Sequence, residues 1–195
     1  MPFSEEYLRR IIHDKVVGDF PPFTLGSIVK IEAYIRKILG RLSSISSLLI
    51  EADFDSYGSG FASYVEIKIA KSDGSDSHTL AQSQRATHET NGLKLYISRL
   101  TPYWFYGGST WAKTYDDGRL TGGWSMFLEP ESQASINQSV WQHDRQLIEA
   151  VLGEFRYGLL TAEELIQPAP ANIFIPTVLA DRPYKVFDCF FYWQD

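Results

Sequence analysis

Cysteine is almost missing from this 195-residue chain, where Cys189 stands alone. A single thiol excludes an internal disulfide and any zinc site built from several cysteines. Positive charge is scarce as well, with 18 Lys and Arg against 24 Asp and Glu and a net charge of −6. No basic run is long enough to create a local field for a phosphate backbone, so nucleic acid is excluded as the expected ligand. A mildly acidic surface serves solubility and also suits steering toward a basic protein partner. Long apolar runs are missing too. Glu5, Glu6, Arg9, Arg10, His13, Asp14 and Lys15 interrupt the first apolar residues, leaving no signal-peptide core and nothing near the roughly 20 residues that span a bilayer. The expectation is a cytoplasmic protein with no membrane segment.

What the chain does have is enough length and apolar content for one folded unit, read as a single α+β domain over residues 1–195. Its compositional excess is aromatic: 12 Phe, 11 Tyr and 5 Trp, concentrated in the second half. Such residues favour strands, so an antiparallel, aromatic-rich sheet is expected there, packed with two N-terminal helices and one long helix in the C-terminal half.

Periodicity supplies the elements. After Ser4, read as an N-cap, Tyr7, Leu8, Ile11, Ile12 and Val16 recur at helical steps, with a stop expected near Gly18. Ser27 opens a second helix carrying Ile28, Ile31, Ile35, Ile38, Leu39 and Leu42, and Leu48-Leu49-Ile50 suits the start of a strand. From Phe61 the period becomes two: Phe61, Ser63, Val65, Ile67 and Ile69 alternate with Ala62, Tyr64, Glu66, Lys68 and Ala70, as in a half-buried strand. The polar stretch Lys71 to Asn91 reads as a long loop. Leu93–Leu100, Tyr103–Thr114 and Trp124–Leu128 read as a meander of strands, the last after an Asp116-Asp117-Gly118 turn. Asn137 or Ser139 caps a helix whose stripe of Val140, Trp141, Asp144, Leu147, Ile148, Val151, Leu152 and Phe155 has one polar member, with Gly158 as its stop. Thr161 to Glu164 matches a capping box. The closing segment Tyr184 to Trp193, apolar on both faces, is expected to be a final strand within the sheet.

No catalytic constellation emerges. Asp53-Phe54-Asp55-Ser56-Tyr57-Gly58 begins like a calcium loop, but Tyr57 and Tyr64 occupy positions that need oxygen donors, and an Asx-type turn accounts for the same residues. Gly58-Ser59-Gly60 and Gly107-Gly108-Ser109-Thr110 lack the spacing and flanking elements of a nucleophile elbow or a phosphate loop. His13, His78, His88 and His143 show no metal-ligand spacing. The reading therefore contains no metal, no cofactor and no catalytic residue. Cys189, inside an aromatic strand, reads as a small buried hydrophobe.

The aromatic concentration remains, and within Tyr103-Trp104-Phe105-Tyr106 consecutive residues must face opposite sides of a strand. Helices over both faces would make all of them core. An open face would instead expose a Trp/Tyr surface bordered by acids, the composition of a protein-binding hot spot. On that second reading the partner-binding residues are Tyr103, Trp104, Tyr106, Trp111, Tyr115, Asp116, Asp117 and Trp124.

From about Gly92 onward, the order of segments is a Leu95–Pro102 strand, a Gly-rich aromatic meander over Tyr103–Leu128, a Trp-bearing helix over Val140–Phe155 and a closing Val186–Asp195. In this order and in its small acidic α+β character, the chain resembles the immunity proteins of bacterial polymorphic toxin systems. The resemblance covers roughly half the chain and transfers no site residue. It implies neutralisation of a toxin by direct binding. The leading expectation is thus a non-enzymatic protein that binds another protein. A small hydrolase using Asp116, Asp117, His143 or Cys189, and a structural subunit of a larger assembly, stand as alternatives.

Overall fold

The computed structural model describes residues 3–82 and 84–195. Ser4 caps the first helix, α1 (Glu5–Ile11), through Tyr7 N–H at 3.2 Å. α1 ends well before Gly18, because the Ile11 carbonyl accepts from the Tyr192 hydroxyl at 2.8 Å and Asp14 takes a left-handed conformation (φ 56°). Val16 therefore lies outside the helix whose period it continued. Ser27 caps α2 (Ile28–Leu42) as its sequence implied, and Ile31, Ile35, Ile38 and Leu42 are fully buried. At about 1.5–3 kcal/mol for each side chain withdrawn from water, this stripe contributes on the order of 10 kcal/mol to docking α2.

The strands follow: β1 (Leu48–Asp53), β2 (Phe61–Ala62), β3 (Tyr64–Lys71), β4 (Ser77–Gln82), β5 (Arg85–Ser98), β6 (Tyr103–Asp116) and β7 (Arg119–Ser125). Then come α3 (Gln138–Glu154), β8 (Gly158–Leu159), α4 (Ala162–Leu165), α5 (Val186–Phe190) and β9 (Trp193–Gln194). The architecture is α+β. Among the described residues, seven strands form one sheet with the order β1-β3-β5-β6-β7, β4 beside β5 and β8 parallel to β6. Its spine is the antiparallel β5–β6 ribbon, continuous from Arg85 opposite Asp116 to Ile97 opposite Trp104.

One face of the ribbon packs under α2 and α3, joining Val65, Ile67, Ile69, Leu93, Leu95, Ile97 and Trp104 to the Ile31 stripe and to Trp141 and Ile148. The opposite face meets α1 and α5, where Tyr64, Tyr96 and Phe105 pack with Leu8, Phe187 and Phe191. Asp144, the one polar member of the α3 stripe, is buried with it. It forms an ion pair with Lys71 and accepts from Ser47 Oγ at 2.8 Å. The α3 stop lies at Arg156 in a left-handed conformation (φ 61°) rather than at Gly158, which enters β8.

Three expectations are corrected. The polar segment before Asn91 is β4 and the first half of β5. It extends past the covering helices and so carries no apolar period; Ser77–Thr90 and Thr87–Thr114 hydroxyl pairs at 3.0 and 3.1 Å tie it together instead. The strand expected over Trp124–Leu128 is Arg119–Ser125, entered by a two-residue turn with Asp117 (φ 48°) and Gly118 (φ 74°) both left-handed. The closing segment is not a strand of the main sheet. Val186–Phe190 forms helix α5, started by Lys185 N–H donating to Asp188 Oδ2 at 2.7 Å, while Trp193–Gln194 pairs with β2 in a separate two-stranded sheet. A short segment apolar on every side carries no period to separate helix from strand.

Candidate functional site

The second helical layer ends before it covers the whole sheet. On the α1/α5 side, Glu51, Lys68, His88, Trp111, Lys113 and Tyr115 line an open hollow of about 240 Å³. Trp111 owes its place there to Gly92 on the neighbouring strand: a Cβ at Gly92 would lie 2.5 Å from the indole, so only glycine lets the ring pack down. Lys113 reaches across to Glu51 at 2.5 Å.

After Ser125 the chain leaves β7 and crosses the same face. Met126 N–H donates to the Thr110 carbonyl at 3.0 Å, Ser109 Oγ donates to the Met126 carbonyl at 3.1 Å, and Leu128 N–H donates to the Tyr96 hydroxyl at 3.0 Å. Tyr57, Glu66, Lys68, Lys113, Trp124, Phe127 and Trp193 line a cleft of about 620 Å³ beside this crossing. Tyr57 packs edge-on against Phe127 (5.5 Å between centroids) and Trp193 (5.0 Å), and the Trp193 indole N–H is held by the Ser59 carbonyl at 3.1 Å.

Tyr57 is placed by a strained turn. Ser56 and Tyr57 are both left-handed (φ 50° and 58°), a conformation that costs a bulky residue on the order of 1–3 kcal/mol. The turn is held from within by Asp53, whose carboxylate accepts from Asp55 N–H at 2.7 Å and Tyr57 N–H at 3.1 Å, the Asx-type arrangement expected of this segment. From outside, Arg99 donates to the Phe54, Ala62 and Tyr64 carbonyls at 2.6–2.7 Å.

The Tyr57 hydroxyl donates to Glu66 Oε2 at 3.0 Å and lies 3.0 Å from the Tyr64 hydroxyl, which is thereby set to donate to it. Burial holds the phenols of Tyr57, Tyr64 and Tyr96 above their ordinary range, so all three stay protonated. Lys94, fully buried, spends its ammonium on Glu66 Oε2 at 3.0 Å, Ser125 Oγ at 2.8 Å and the Met126 carbonyl. Burial pulls Lys94 below its ordinary value, opposed by the Glu66 charge. Glu66, expected on the solvent side of a half-buried strand, is only 3% exposed. Its Oε2 is doubly bonded, but Oε1 accepts no hydrogen bond and has the Lys68 ammonium 3.7 Å away.

The eight residues expected to bind a partner separate into two groups. Trp104 (2% exposed), Tyr106 and Trp111 are buried, and half-buried Tyr103 packs edge-on against Phe3 and Phe190. Helices over both faces make Trp104 and Tyr106 core, which corrects the expectation that they form surface. Tyr115, half-buried against His88, and the exposed Asp116, Asp117 and Trp124 sit together on the β6–β7 hairpin. Beside them are Phe127, part of the same aromatic concentration, and, unforeseen, Leu120 (61% exposed) and Met126. The strand was expected over Trp124–Leu128, past the two glycines at 122 and 123, and nothing local says that β7 lies at an edge. Tyr57 and Trp193 meet only through the pairing of β2 with β9.

The residues considered for a hydrolase stand apart: Asp116 and Asp117 at the hairpin tip, His143 on the exposed side of α3, and Cys189 buried in α5 on the other side of the sheet. Burial pushes the Cys189 thiol up to about 12, with Asp188 adding to the shift. Among the described residues no group of three or more His, Cys, Asp or Glu is gathered as a metal ion would need, and no helix is long and apolar enough to cross a membrane. No protein-family model, curated protein or solved structure matches the chain.

Proposed function

We propose that this chain is a non-enzymatic protein-binding protein that takes an extended segment of another protein onto the free edge of β7, as an immunity protein would neutralise a toxin by direct contact. The observation that carries this reading is the state of β7 itself. It is the last strand of the sheet, and past Arg119 at its start its residues carry no charge or Pro of the kind that blunts edges. Leu120, Trp124, Met126 and Phe127 stand exposed along it and just past its end.

Antiparallel alternation adds the backbone half of the argument. Met126 N–H bonds to the Thr110 carbonyl, so Trp124 and Gly122 face β6 and the backbone groups of Gly123 and Ser125 turn outward. Those groups are free to pair with an added strand, while the apolar side chains supply anchors. The net charge of −6 favours a basic partner.

The test is differential capture from the source cell, with wild-type bait against a Leu120→Lys/Trp124→Lys bait of unchanged circular dichroism. A stoichiometric partner held by the wild type and lost by the variant supports the reading. Loss of one Trp anchor typically costs about 2 kcal/mol or more, roughly thirtyfold in affinity. A partner retained equally by both baits refutes β7 as the contact.

A further inference from the structure

The cleft beside β7 contains a combination that the binding edge alone does not require. Glu66 is almost wholly buried, one of its oxygens accepts no hydrogen bond, and the residue lies in the wall of a cleft shared with three neighbouring aromatic rings. A buried carboxylate oxygen without a donor is costly, and native structures seldom leave one unused.

The acids in and beside this cleft are already engaged or offset. Asp53 is spent on the amides of its own turn, Glu51 on Lys113, and one oxygen of Glu66 on Lys94 and Tyr57. Counting Glu51, Asp53, Asp55 and Glu66 against Lys68, Lys94 and Lys113 leaves one negative charge in excess. Within that group Asp55 is exposed to water, and Glu66 Oε1 is the buried carboxylate oxygen that accepts no hydrogen bond. Aromatic faces around such a charge attract cations through their ring electrons, most strongly where water is excluded.

We infer that this cleft receives one Lys or Arg side chain of the protein segment bound along β7, its cationic head donating to Glu66 Oε1 and its stem lying against Tyr57, Phe127 and Trp193. The inference rests on the reading of β7 as a binding edge and gives it a specificity element, since a strand lying against β7 passes the mouth of the cleft that Trp124 and Ser125 help to line. In the free protein Lys68, 3.7 Å from Oε1, stands in for that cation without bonding to it.

Capped single amino acids test the cleft without the partner. N-acetyl-lysine-methylamide and N-acetyl-arginine-methylamide are titrated against the full chain while the Trp193 indole N–H resonance is followed, with capped norleucine as the neutral control of similar shape. Saturable shifts from the two cationic probes and none from norleucine are expected. Phe127→Ala should weaken them severalfold, and Lys68→Met, which removes the internal stand-in, should tighten them severalfold. Glu66→Gln should abolish them. Should Glu66→Gln fail to fold, Lys68→Met decides, because a purely structural Lys68 would leave probe affinity unchanged or lower it. Equal response to norleucine, no saturable shift, or unchanged affinity in Lys68→Met overturns the inference. The two ideas fail separately: probe binding without β7-dependent capture refutes the edge, and capture without probe binding refutes the cleft.

Discussion

Lys94→Met is the perturbation that probes the floor of the cleft most directly. Lys94 is fully buried and satisfies three acceptors: Glu66 Oε2 at 3.0 Å, Ser125 Oγ at 2.8 Å and the Met126 carbonyl. Methionine nearly matches its volume, so packing is conserved and the loss is electrostatic. Glu66 then keeps only the Tyr57 hydroxyl, with Lys68 too distant to bond. Removing one partner of a buried pair costs about 3–5 kcal/mol, because the remaining charge stays out of water uncompensated. In a chain of this size each kcal/mol lowers Tm by about 2–4 °C, so thermal melts followed by circular dichroism should fall by roughly 6–20 °C. Lys94→Met/Glu66→Met removes both charges and should recover most of that loss, since an apolar replacement of the whole pair is often near neutral. A second readout separates the cause. Lys94 ties down Ser125 and Met126, so amide exchange at the end of β7 should accelerate in both variants. A single variant that loses less than about 1 kcal/mol would refute the reasoning, because Glu66 would then be hydrated in solution and the floor of the cleft would not be dry.

The remaining expectations concern the scaffold. Arg99→Met strands the Phe54, Ala62 and Tyr64 carbonyls and the Glu32 carboxylate, and chemical denaturation should show a loss of several kcal/mol with loosening of the Tyr57 turn. Asp144 lies below the ordinary carboxylate range: burial alone raises it, but hydrogen bonds from Lys71 and Ser47 and the Lys71 charge together outweigh burial. A depressed folded value means stabilisation that is complete above the unfolded value of about 4 and lost as pH falls through the folded one. Asp144→Asn should accordingly flatten the acid limb of a stability-versus-pH curve, and an unchanged limb would show that the pair contributes nothing there. Cys189, protonated at neutral and mildly alkaline pH because burial lifts it to about 12, should resist thiol reagents in the folded chain and react at once in denaturant. Labelling of the native protein at the rate of the denatured one would contradict its place in α5.

The elements of this protein were largely legible one by one. Ser27 and Asn137 are caps that satisfy orphan amides whatever surrounds them, and the Ile31 and Trp141 stripes can be read from spacing alone. The Asp116–Asp117–Gly118 turn and the Thr161 capping box are local as well, because each is decided by atoms within a few residues. An α+β class with an antiparallel, aromatic sheet follows from that much.

Tertiary structure decided whatever depended on distant neighbours. The Tyr192 hydroxyl ends α1 from the far end of the chain, and the β5–β6 ribbon carries a polar stretch into the sheet by pairing alone. Val186–Phe190 is a helix started by Lys185 N–H on Asp188, and with Val186, Phe187, Cys189 and Phe190 all buried it has no period by which sequence separates helix from strand. The same dependence governs the candidate site. Trp104 and Trp124 are alike in sequence, yet one lies under α2 and α3 and the other on an edge, since what covers a strand residue is set by sheet order. Glu66, Tyr57 and Trp193 form a cleft only because β2 pairs with β9 and brings Trp193, from the end of the chain, against residues of its first third. Caps and periods act over a few residues and can be read from a sequence; edges, coverings and clefts are relations between segments and exist only once the chain has folded.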